Sequence, residues 1–475
     1  MSDHHSVYDQ SSVHARSHSR LDVDVGAQSE SEKTVHGGDQ AGATTDAEKG
    51  GAPSAPVPPA RGGPPHMTNE QKTRLVLSKL IPAGISYQLV FWICALWLFG
   101  SLYKSTEKTH RLHVAVADFD GGSVGSSLLS AVVAVNGQKT MPTFSIIPAN
   151  ETSPEDLQHR VFEGKFWGGI YATEGATDRF QTALGSDEAA ASYSAAGAFV
   201  YTGLEVRYNT VWSGFVLNNL NKVVASATAI FNRQTVAPLV SSGMTYSAAA
   251  AAVLVNPLAS TYANLTPFAF GTRIVLNTIG FVFPSLFCFF FLMALNTVGA
   301  MTGWYRNMSL KRHIKFRSLI GALWTLLASL SIIGWYLCFD EAYNIKAKNF
   351  FALWAVEWVY CMITYDLLDI ATAFVPPQFI PHIVVFYIVG MSVSAVLFPL
   401  DLMNHFLRFQ HAFPAYATWS TMITIFGNGA VNTLYYNLPV LAAWLVVTKV
   451  GLVFSMKRRV KQHAEVVAVK ADDKA

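Results

Sequence analysis

The stretch VAVADFDGGSVGSSLL, residues 114–129, contains the residues whose types and spacing come nearest to a reaction centre. Asp118 and Asp120 follow an apolar run directly, and glycines and serines come next. Such a pair suits a phosphatase nucleophile with its acid/base partner, or an Asp-x-Asp metal site, and the glycines suit a phosphate cradle. The same letters also suit a strand, a turn and a helix without chemistry. The side of the membrane on which the stretch lies helps to decide between them.

Each chemical interpretation lacks a partner elsewhere in the chain. A phosphatase of the Asp-x-Asp-Gly type usually has a small hydroxyl residue where this chain has Gly122, and it needs a further acidic pair downstream. A glycosyltransferase that uses Asp-x-Asp typically has one span, and the P-loop pattern G-x-x-x-x-G-K-[ST] does not occur in the sequence. We therefore expect Asp120 and Gly121 to shape a turn and Asp118 to cap it locally. The prediction is a protein that is not an enzyme, with no cofactor and no metal.

The elements that must position this stretch are dominated by membrane spans. Hydrophobic residues make up 51% of the 475-residue chain and charged residues only 14%, against about a quarter charged in soluble domains. The net charge of +3 is too small to indicate a nucleic-acid partner. All four cysteines fall in apolar runs, which predicts small buried residues and no disulfide framework. A helix needs about 20 apolar residues to cross a bilayer. Six segments meet this requirement: 81–102, 274–301, 319–339, 350–374, 380–400 and 434–456.

Lysine and arginine near the span ends predict the orientation. The loop after the second span contains five basic residues and no acid, and Lys457, Arg458, Arg459 and Lys461 follow the sixth span. With six spans, both segments lie on the side of the N-terminus, which we take as the cytosol. Residues 1–74 are predicted to be a disordered cytosolic tail, 75–103 the first span, 104–272 an extracytosolic domain, 273–456 five further spans, and 457–475 a basic cytosolic tail.

The predicted extracytosolic domain alternates strands and helices, which is typical of an α/β fold. Strands are expected at 112–119, 143–147 and 166–172, with Ser123 capping a helix over 124–135 and Ser153 beginning a helix that runs to Phe162. One long helix is predicted from Glu205 to Phe231 and an Ala-rich helix over 247–254. Asn150 heads an N-x-T acceptor, and the predicted topology makes it available for glycosylation. Asn264 heads a second motif, but it is close to the membrane and Pro267 follows it, so we do not expect it to be used. Asn307 heads a third motif, which the predicted topology keeps in the cytosol.

Ionisable residues at membrane depth are functional candidates by default. Glu357 lies about two turns inside the fourth span, whereas Asp366 and Asp369 lie on another face nearer its cytosolic end. We take all three as candidates for transport or coupling. The alternative for Glu357 is a structural pair with a polar residue such as Asn277 or Asn296, and that for the two aspartates is contact with the cytosolic headgroups. Lys449 is expected to reach the cytosolic interface.

Four segments carry a family resemblance: 114–129, RVFEGKFWGGIYA (160–172), NPLASTYANLTPFAFGTRIV (256–275) and FPAYATWSTMITIFGN (413–428). Together with the span order, they resemble the fungal nitrosoguanidine-resistance family, which is similar to the membrane part of type-2 ABC exporters and to phage-infection-protein-like membrane proteins. The resemblance covers about 75–456. It implies a membrane protein of the plasma membrane or secretory pathway that is linked to resistance to toxic small molecules, and it transfers no catalytic residue. The chain has no nucleotide-binding domain, and the basic loop 302–318, where such exporters dock one, is expected to set topology.

The sequence thus predicts an α-helical polytopic membrane protein of six spans, with a large external α/β domain between the first two. We expect an exporter-like protein that moves, or helps to move, toxic hydrophobic small molecules or lipids. The alternative is a non-transporting regulator or adaptor of a transporter or lipid flippase. Its partners would be membrane lipids, hydrophobic small molecules, and either further copies of the chain or a separate subunit.

Overall fold

The computed structural model describes residues 68–268, 271–304, 308–339 and 345–472. Residues 1–67 of the predicted disordered tail lie outside the described residues, as do Arg306 and Asn307 in the loop after the second span. Residues 69–74, also predicted as part of that tail, instead form the first turns of a long helix. The fold is mostly helical with one small sheet.

Six helices in the described ranges are long and apolar enough to cross a membrane, as the sequence predicts. We number them as spans one to six, and this chain is accordingly an integral membrane protein. They are Asn69–Leu102, Ile279–Met301, Leu310–Cys338, Ala347–Phe374, Pro377–Val396 and Leu434–Gln462. Span six continues as an unbroken helix to Asp472, so the predicted basic tail begins as helix.

The spans differ in how deeply they are packed. Half of the most apolar window of spans four and five is buried, but only 11% of the window of span one. Span one lies beside span five, where the Tyr87 ring stacks on His382 with centroids 4.1 Å apart, and Trp97 Nε1 donates to Ser394 Oγ. Span four is therefore the centre of the bundle and span one its edge.

The sheet has five strands in the order β2-β1-β3-β4-β5. They are β1 His113–Asp118, β2 Thr143–Ile146, β3 Gly168–Ala172, β4 Phe199–Gly203 and β5 Ser260–Asn264. Only the β3–β4 pairing is antiparallel among these five strands. The first three strands match their predicted positions, whereas β4 and β5 were not predicted.

Helices cover both faces of the sheet. Side chains alternate along β1, so that Val114 and Val116 pack against one layer, while Ala115 and Ala117 pack against the other. The helices Ser123–Val135 and Asn218–Phe231 cover the first face, and Pro154–Phe162 covers the second. Ser153 caps the last of these, as predicted, by accepting from Asp156 N.

The predicted long helix is interrupted and extended. It begins at Asn209 and runs as Asn209–Val211, a π turn Trp212–Leu217, Asn218–Phe231, a second π turn Asn232–Val236, and Ala237–Ser241. Three further helices complete the domain, two of them not predicted: Ala176–Gly185, Asp187–Ser192 and the Ala-rich Ala248–Val255.

The sheet domain rests on one end of the bundle, which we call the domain end. Between spans five and six, a connecting segment of 3-10 turns leads into the buried helix Pro414–Phe426. Arg111 of the domain donates to Met403 O in this segment at 2.8 Å, and Val431 N donates to Phe162 O at 2.9 Å. Three cysteines are buried as expected, but Cys338 at the end of span three is exposed.

Candidate functional site

The three acidic residues of span four point to two different sides of the helix, as their spacing predicts. All three are buried: Glu357 and Asp369 have no exposed surface and Asp366 has 1%. Glu357 faces span two, whereas the aspartates face spans three and six. Their surroundings differ in one respect, which is whether a positive charge lies within reach.

Asp369 is held between two arginines. Arg317 of span three donates to both carboxylate oxygens, with Nε 2.9 Å from Oδ2, and Arg459 Nη2 of span six lies 2.9 Å from Oδ1. Arg317 also donates to Asn296 of span two at 2.6 Å. Four spans therefore meet at one group of ion pairs, which we call the Asp369 clamp. It lies opposite the domain end, because Arg317 begins span three and Asp369 ends span four.

Asp366 has a weaker partner. Lys449 Nζ of span six lies 2.8 Å from its Oδ2, and the lysine side chain remains 38% exposed. Thr448 Oγ1 lies 3.4 Å from the same oxygen. The alternative that Asp366 and Asp369 contact the headgroups is wrong, since protein encloses both carboxylates. Lys449 combines partial exposure with an ion pair to Asp366, and its reach to the cytosolic interface stays a prediction.

Glu357 is the exception. Its Oε1 lies 3.6 Å from the Cys361 thiol, and its Oε2 has no hydrogen-bond partner among the described residues. Neither amide suggested by the sequence approaches it, since Asn277 donates to Val396 O and Asn296 belongs to the clamp. Burying an isolated carboxylate costs far more than burying a carboxylic acid, so this site suits the neutral form. A change of charge at Glu357 would therefore alter the interactions of the side chains that pack around it.

Buried hydroxyl groups continue along the Glu357 side of span four. Tyr360 donates to Ser392 Oγ at 3.0 Å, and Thr364 Oγ1 lies 2.8 Å from the Tyr387 hydroxyl. Tyr387 and Ser392 both lie in a π turn of span five, Tyr387–Val393. Such turns break the regular helix ladder and often occur at functional sites. The arrangement gives Glu357 a polar neighbourhood between spans four and five.

The carboxylates of the Asp118–Asp120 turn accept hydrogen bonds mainly from backbone N–H groups. Asp118 Oδ1 accepts from the N–H groups of Asp120 and Gly121, each at 3.0 Å. Asp120 accepts from Gly122 N, Gly125 N, Thr177 N and the Thr177 hydroxyl. Burial alone would raise the pKa of Asp120, but these hydrogen bonds outweigh it and lower the pKa below its ordinary value. The contacts support the fold-forming interpretation.

Steric constraints explain why glycine occupies two positions in and after this turn. Gly121 has a φ of +64°, and a Cβ on Gly125 would lie 1.8 Å from Asp118 Oδ1. Ser123 does not cap the helix as predicted, because the helix begins at Ser123 itself. Asp120 and Thr177 instead accept from the N–H groups of Gly125 and Val124. The first N–H groups of this helix are therefore capped by residues other than the one that immediately precedes it, and local sequence signals do not reveal such a cap.

Asn150 is exposed in the short turn Ala149–Glu151 of the sheet domain, so its side chain is accessible to a modifying enzyme. The residues that sequence reasoning missed are Arg317 and Arg459, which we used only as signals of orientation. Each lies within a helical turn or two of a basic cluster, and burial alone distinguishes them from their neighbours.

Comparison with known proteins gives one family. Neither the curated proteins nor the solved structures contain a match to this chain. Residues 83–450 match a family described as a protein of unknown function, DUF3533. The matched range includes spans two to five completely, most of spans one and six, and the whole sheet domain. This chain belongs to the DUF3533 family.

Proposed function

We propose that this protein moves, or helps to move, hydrophobic small molecules or lipids across its membrane, with Glu357 as the coupling group. The observation that supports the proposal most directly is the Glu357 carboxyl, which is fully buried and leaves Oε2 without a hydrogen-bond partner in the described structure. A buried ionisable group without a counter-ion is expensive to maintain. Such a cost is understandable where protonation or a cationic ligand changes the state of the bundle.

The surroundings of Glu357 suit a change of state. The Asp369 clamp ties spans two, three, four and six together at the end opposite the sheet domain. Toward the domain end, thiol and hydroxyl contacts take the place of ion pairs. Weak polar contacts exchange partners at lower cost than buried ion pairs do. We therefore expect movement at the Glu357 level around a rigid opposite end.

An apolar cavity supports a hydrophobic ligand. It has a volume of about 210 Å³ and lies between spans two and three at the domain end, lined among others by Ile279, Phe283 and Trp335. Its walls are almost entirely carbon, so an acyl chain or an aromatic compound would fit without leaving a polar group unsatisfied.

The test is flux through the purified full chain in liposomes, with a fluorescent phospholipid and a hydrophobic cationic dye as probes, with and without a proton gradient. We expect flux from the wild type and its loss in Glu357→Gln. The matched control is Glu174→Gln, which makes the same exchange at an exposed residue of the sheet domain. Absence of flux under every gradient, or equal flux from the wild type and Glu357→Gln, would refute the proposal.

The orientation belongs to the proposal as well. We infer that the clamp end faces the cytosol, because Lys311, Arg312 and Lys315 at the start of span three are exposed there beside the basic end of span six. The sheet domain would then lie outside the cytosol, at the plasma membrane or in the secretory pathway. Export of toxic compounds would follow if flux runs toward the domain end, and a deletion strain would then be sensitive to the same compounds.

A second candidate is a non-transporting regulator or adaptor, which the exposure of span one favours. Large apolar side chains line this helix and remain exposed, including Phe91, Trp92 and Phe99. A partner subunit or another copy of the chain could pack against it in place of lipid. Stoichiometric co-purification of a transporter, together with absence of flux from the isolated chain, would support this candidate over the first.

A further inference from the structure

The junction between the sheet domain and the bundle encloses a polar cavity of about 90 Å³, which we call the junction cavity. Arg207 and Tyr208, just after β4, form one wall. Asp401 and His411 from the connecting segment, together with Tyr416 from the helix Pro414–Phe426, also line the cavity. The cavity is several times larger than the roughly 10–15 Å³ that one water needs. It is separate from the Glu357 site, since neither Glu357 nor Cys361 lines it.

Two hydrogen-bond donors in this cavity have no acceptor within the described part of the chain. Arg207 stacks on the Trp167 ring, with Cζ 3.7 Å from the centroid, and its Nη1 is shielded from solvent without a partner. The Tyr208 hydroxyl is likewise buried and unpaired among the described residues. A tyrosine oxygen can accept from a neighbour such as the Trp419 indole, but its hydrogen would still need an acceptor. A buried donor needs an acceptor, so both groups can donate to an oxygen atom of a ligand in the cavity.

The charges of the junction cavity favour an anion on the Arg207 side. Burial lowers the pKa of the Arg207 guanidinium, and the charge of Asp401 offsets part of that effect. The guanidinium nevertheless stays cationic, as arginines in proteins do. Arg207 and Asp401 line the same space but do not form an ion pair within 4 Å. Burial lowers the pKa of His411, so this residue is neutral near pH 7 and does not compete for the anion.

The junction cavity adjoins a larger, more open space of about 400 Å³, with which it shares His411, Tyr416 and Thr433. Tyr435 and Tyr436, at the first turn of span six, line that space. Tyrosines at the end of a span are typical of the membrane–water interface, where headgroups meet acyl chains. A ligand can therefore keep its polar head in the junction cavity while its apolar part reaches the bilayer.

We propose that the junction cavity binds the oxyanion head of an amphipathic ligand, with Arg207 and the Tyr208 hydroxyl donating to the phosphate or carboxylate oxygens. Asp401 accepts from a hydroxyl or amine on the same head. The chains lie beside Tyr435 and Tyr436. This is a binding site at the domain end, and it stands whether or not Glu357 couples transport.

Binding to the purified, delipidated full chain tests the site, with native mass spectrometry as the readout. The probes are dioleoyl phosphatidylglycerol, dioleoylglycerol, which has the same chains without phosphate, and glycerol phosphate, which has no chains. We expect the wild type to retain phosphatidylglycerol and to bind the other two far more weakly. Losing a charge-assisted hydrogen bond corresponds to a roughly tenfold to hundredfold weaker affinity, and we expect this loss in Arg207→Gln.

Tyr208→Phe provides a second variant, because it removes the hydroxyl and keeps the ring that packs edge-on against Trp419. We expect a several-fold weaker affinity. Arg160→Gln is the matched control, since Arg160 is a surface arginine paired with Asp156, and its affinity should equal that of the wild type. Equal binding of dioleoylglycerol and phosphatidylglycerol, or wild-type affinity in both site variants, would overturn the proposal. Binding of glycerol phosphate as tight as that of the lipid would refute an amphipathic ligand.

Discussion

Span four contains the same chemical group in two opposite situations. The Asp369 carboxylate is buried at one end of the helix between two arginines, and the Glu357 carboxyl is buried nearer the other end with a thiol as its hydrogen-bond partner. Desolvation is severe at both sites, but only Asp369 recovers the cost through opposite charges and hydrogen bonds. Burial alone therefore does not distinguish a structural acid from a functional candidate. The two are distinguished by the groups that pair with the carboxyl group.

The clamp also connects more of the chain than its sequence positions suggest. Asp369, Arg317, Arg459 and Asn296 come from four spans, and their side chains join where those spans end. The Glu357 region instead uses hydroxyls and a thiol between spans two, four and five. We expect the first region to resist change and the second to permit it.

Asp369→Asn should have the largest effect of the changes considered. It leaves two buried arginines without their counter-ion, which typically costs about 3–5 kcal/mol. Thermal unfolding of the purified chain in detergent, followed by the loss of its monodisperse peak, would measure the change. An unfolding temperature equal to that of the wild type would mean that the clamp does not stabilise the bundle.

Asp120→Ala extends the comparison to a carboxylate that backbone N–H groups and a hydroxyl satisfy. Losing these hydrogen bonds and the helix cap should cost about 2–3 kcal/mol in the sheet domain. Because folding lowers the Asp120 pKa below its ordinary 3.8, its contribution is present above that pH and is lost as the pH falls through the folded-state pKa. Unfolding of Asp120→Ala at pH 7 would measure the loss of stability. Unfolding of the wild type and of Asp120→Asn, each at pH 7 and near pH 3, would measure the pH dependence. A stability difference that grows at low pH would contradict the prediction.

Asp366→Asn should fall between the extremes. Lys449 is 38% exposed on its side chain and can turn toward the interface once its partner is neutral. The expected loss is about 1–2 kcal/mol, between the values for exposed and for buried pairs. The same unfolding assay measures it, with Asp369→Asn in parallel. A loss as large as that of Asp369→Asn would remove the distinction between the two aspartates.

Glu357→Gln should leave stability within about 1 kcal/mol of the wild type, because an amide replaces a carboxyl group whose charge the site does not compensate. Together with the expected loss of flux, this separates function from folding. If Glu357→Gln unfolded as easily as Asp369→Asn, then Glu357 would be a structural residue with a partner in the bundle.

Asn150→Gln should not change unfolding at all, since Asn150 is exposed in a turn. In a eukaryotic host it should remove one glycan, visible as a glycosidase-sensitive shift of the wild-type band that the variant lacks. A wild type that remains bare would argue against an extracytosolic sheet domain, and with it against the side assigned to the clamp.

Local patterns predict some elements well and others poorly. Spans need only length and apolar composition, so all six were predictable, although spans one and three begin well before their predicted first residues. Strand β1 is a short apolar run, but β5 has the sequence STYAN and contains no such run. Strand β5 is stabilised by its pairing with β4. A short stretch of sequence does not show that such a partner strand will be available. Likewise, helix geometry predicted that Glu357 lies on another face of span four than Asp366 and Asp369. It did not predict that Glu357 Oε2 lacks a hydrogen-bond partner among the described residues.

Three features could be predicted from the amino-acid sequence alone: the six spans, the alternation of strands and helices that begins the domain between spans one and two, and the Asp118–Asp120 turn as part of the fold. These follow from solvation and from backbone geometry, which act over a few residues. Tertiary packing was needed to show that Arg317 and Arg459 meet at Asp369 and that Lys449 reaches Asp366. It also left Glu357 and Arg207 each with a buried polar atom that has no hydrogen-bond partner among the described residues. An ion pair depends on distance in space, and the partners of Asp369 lie 52 and 90 positions away in the chain, so they become neighbours only when the spans pack.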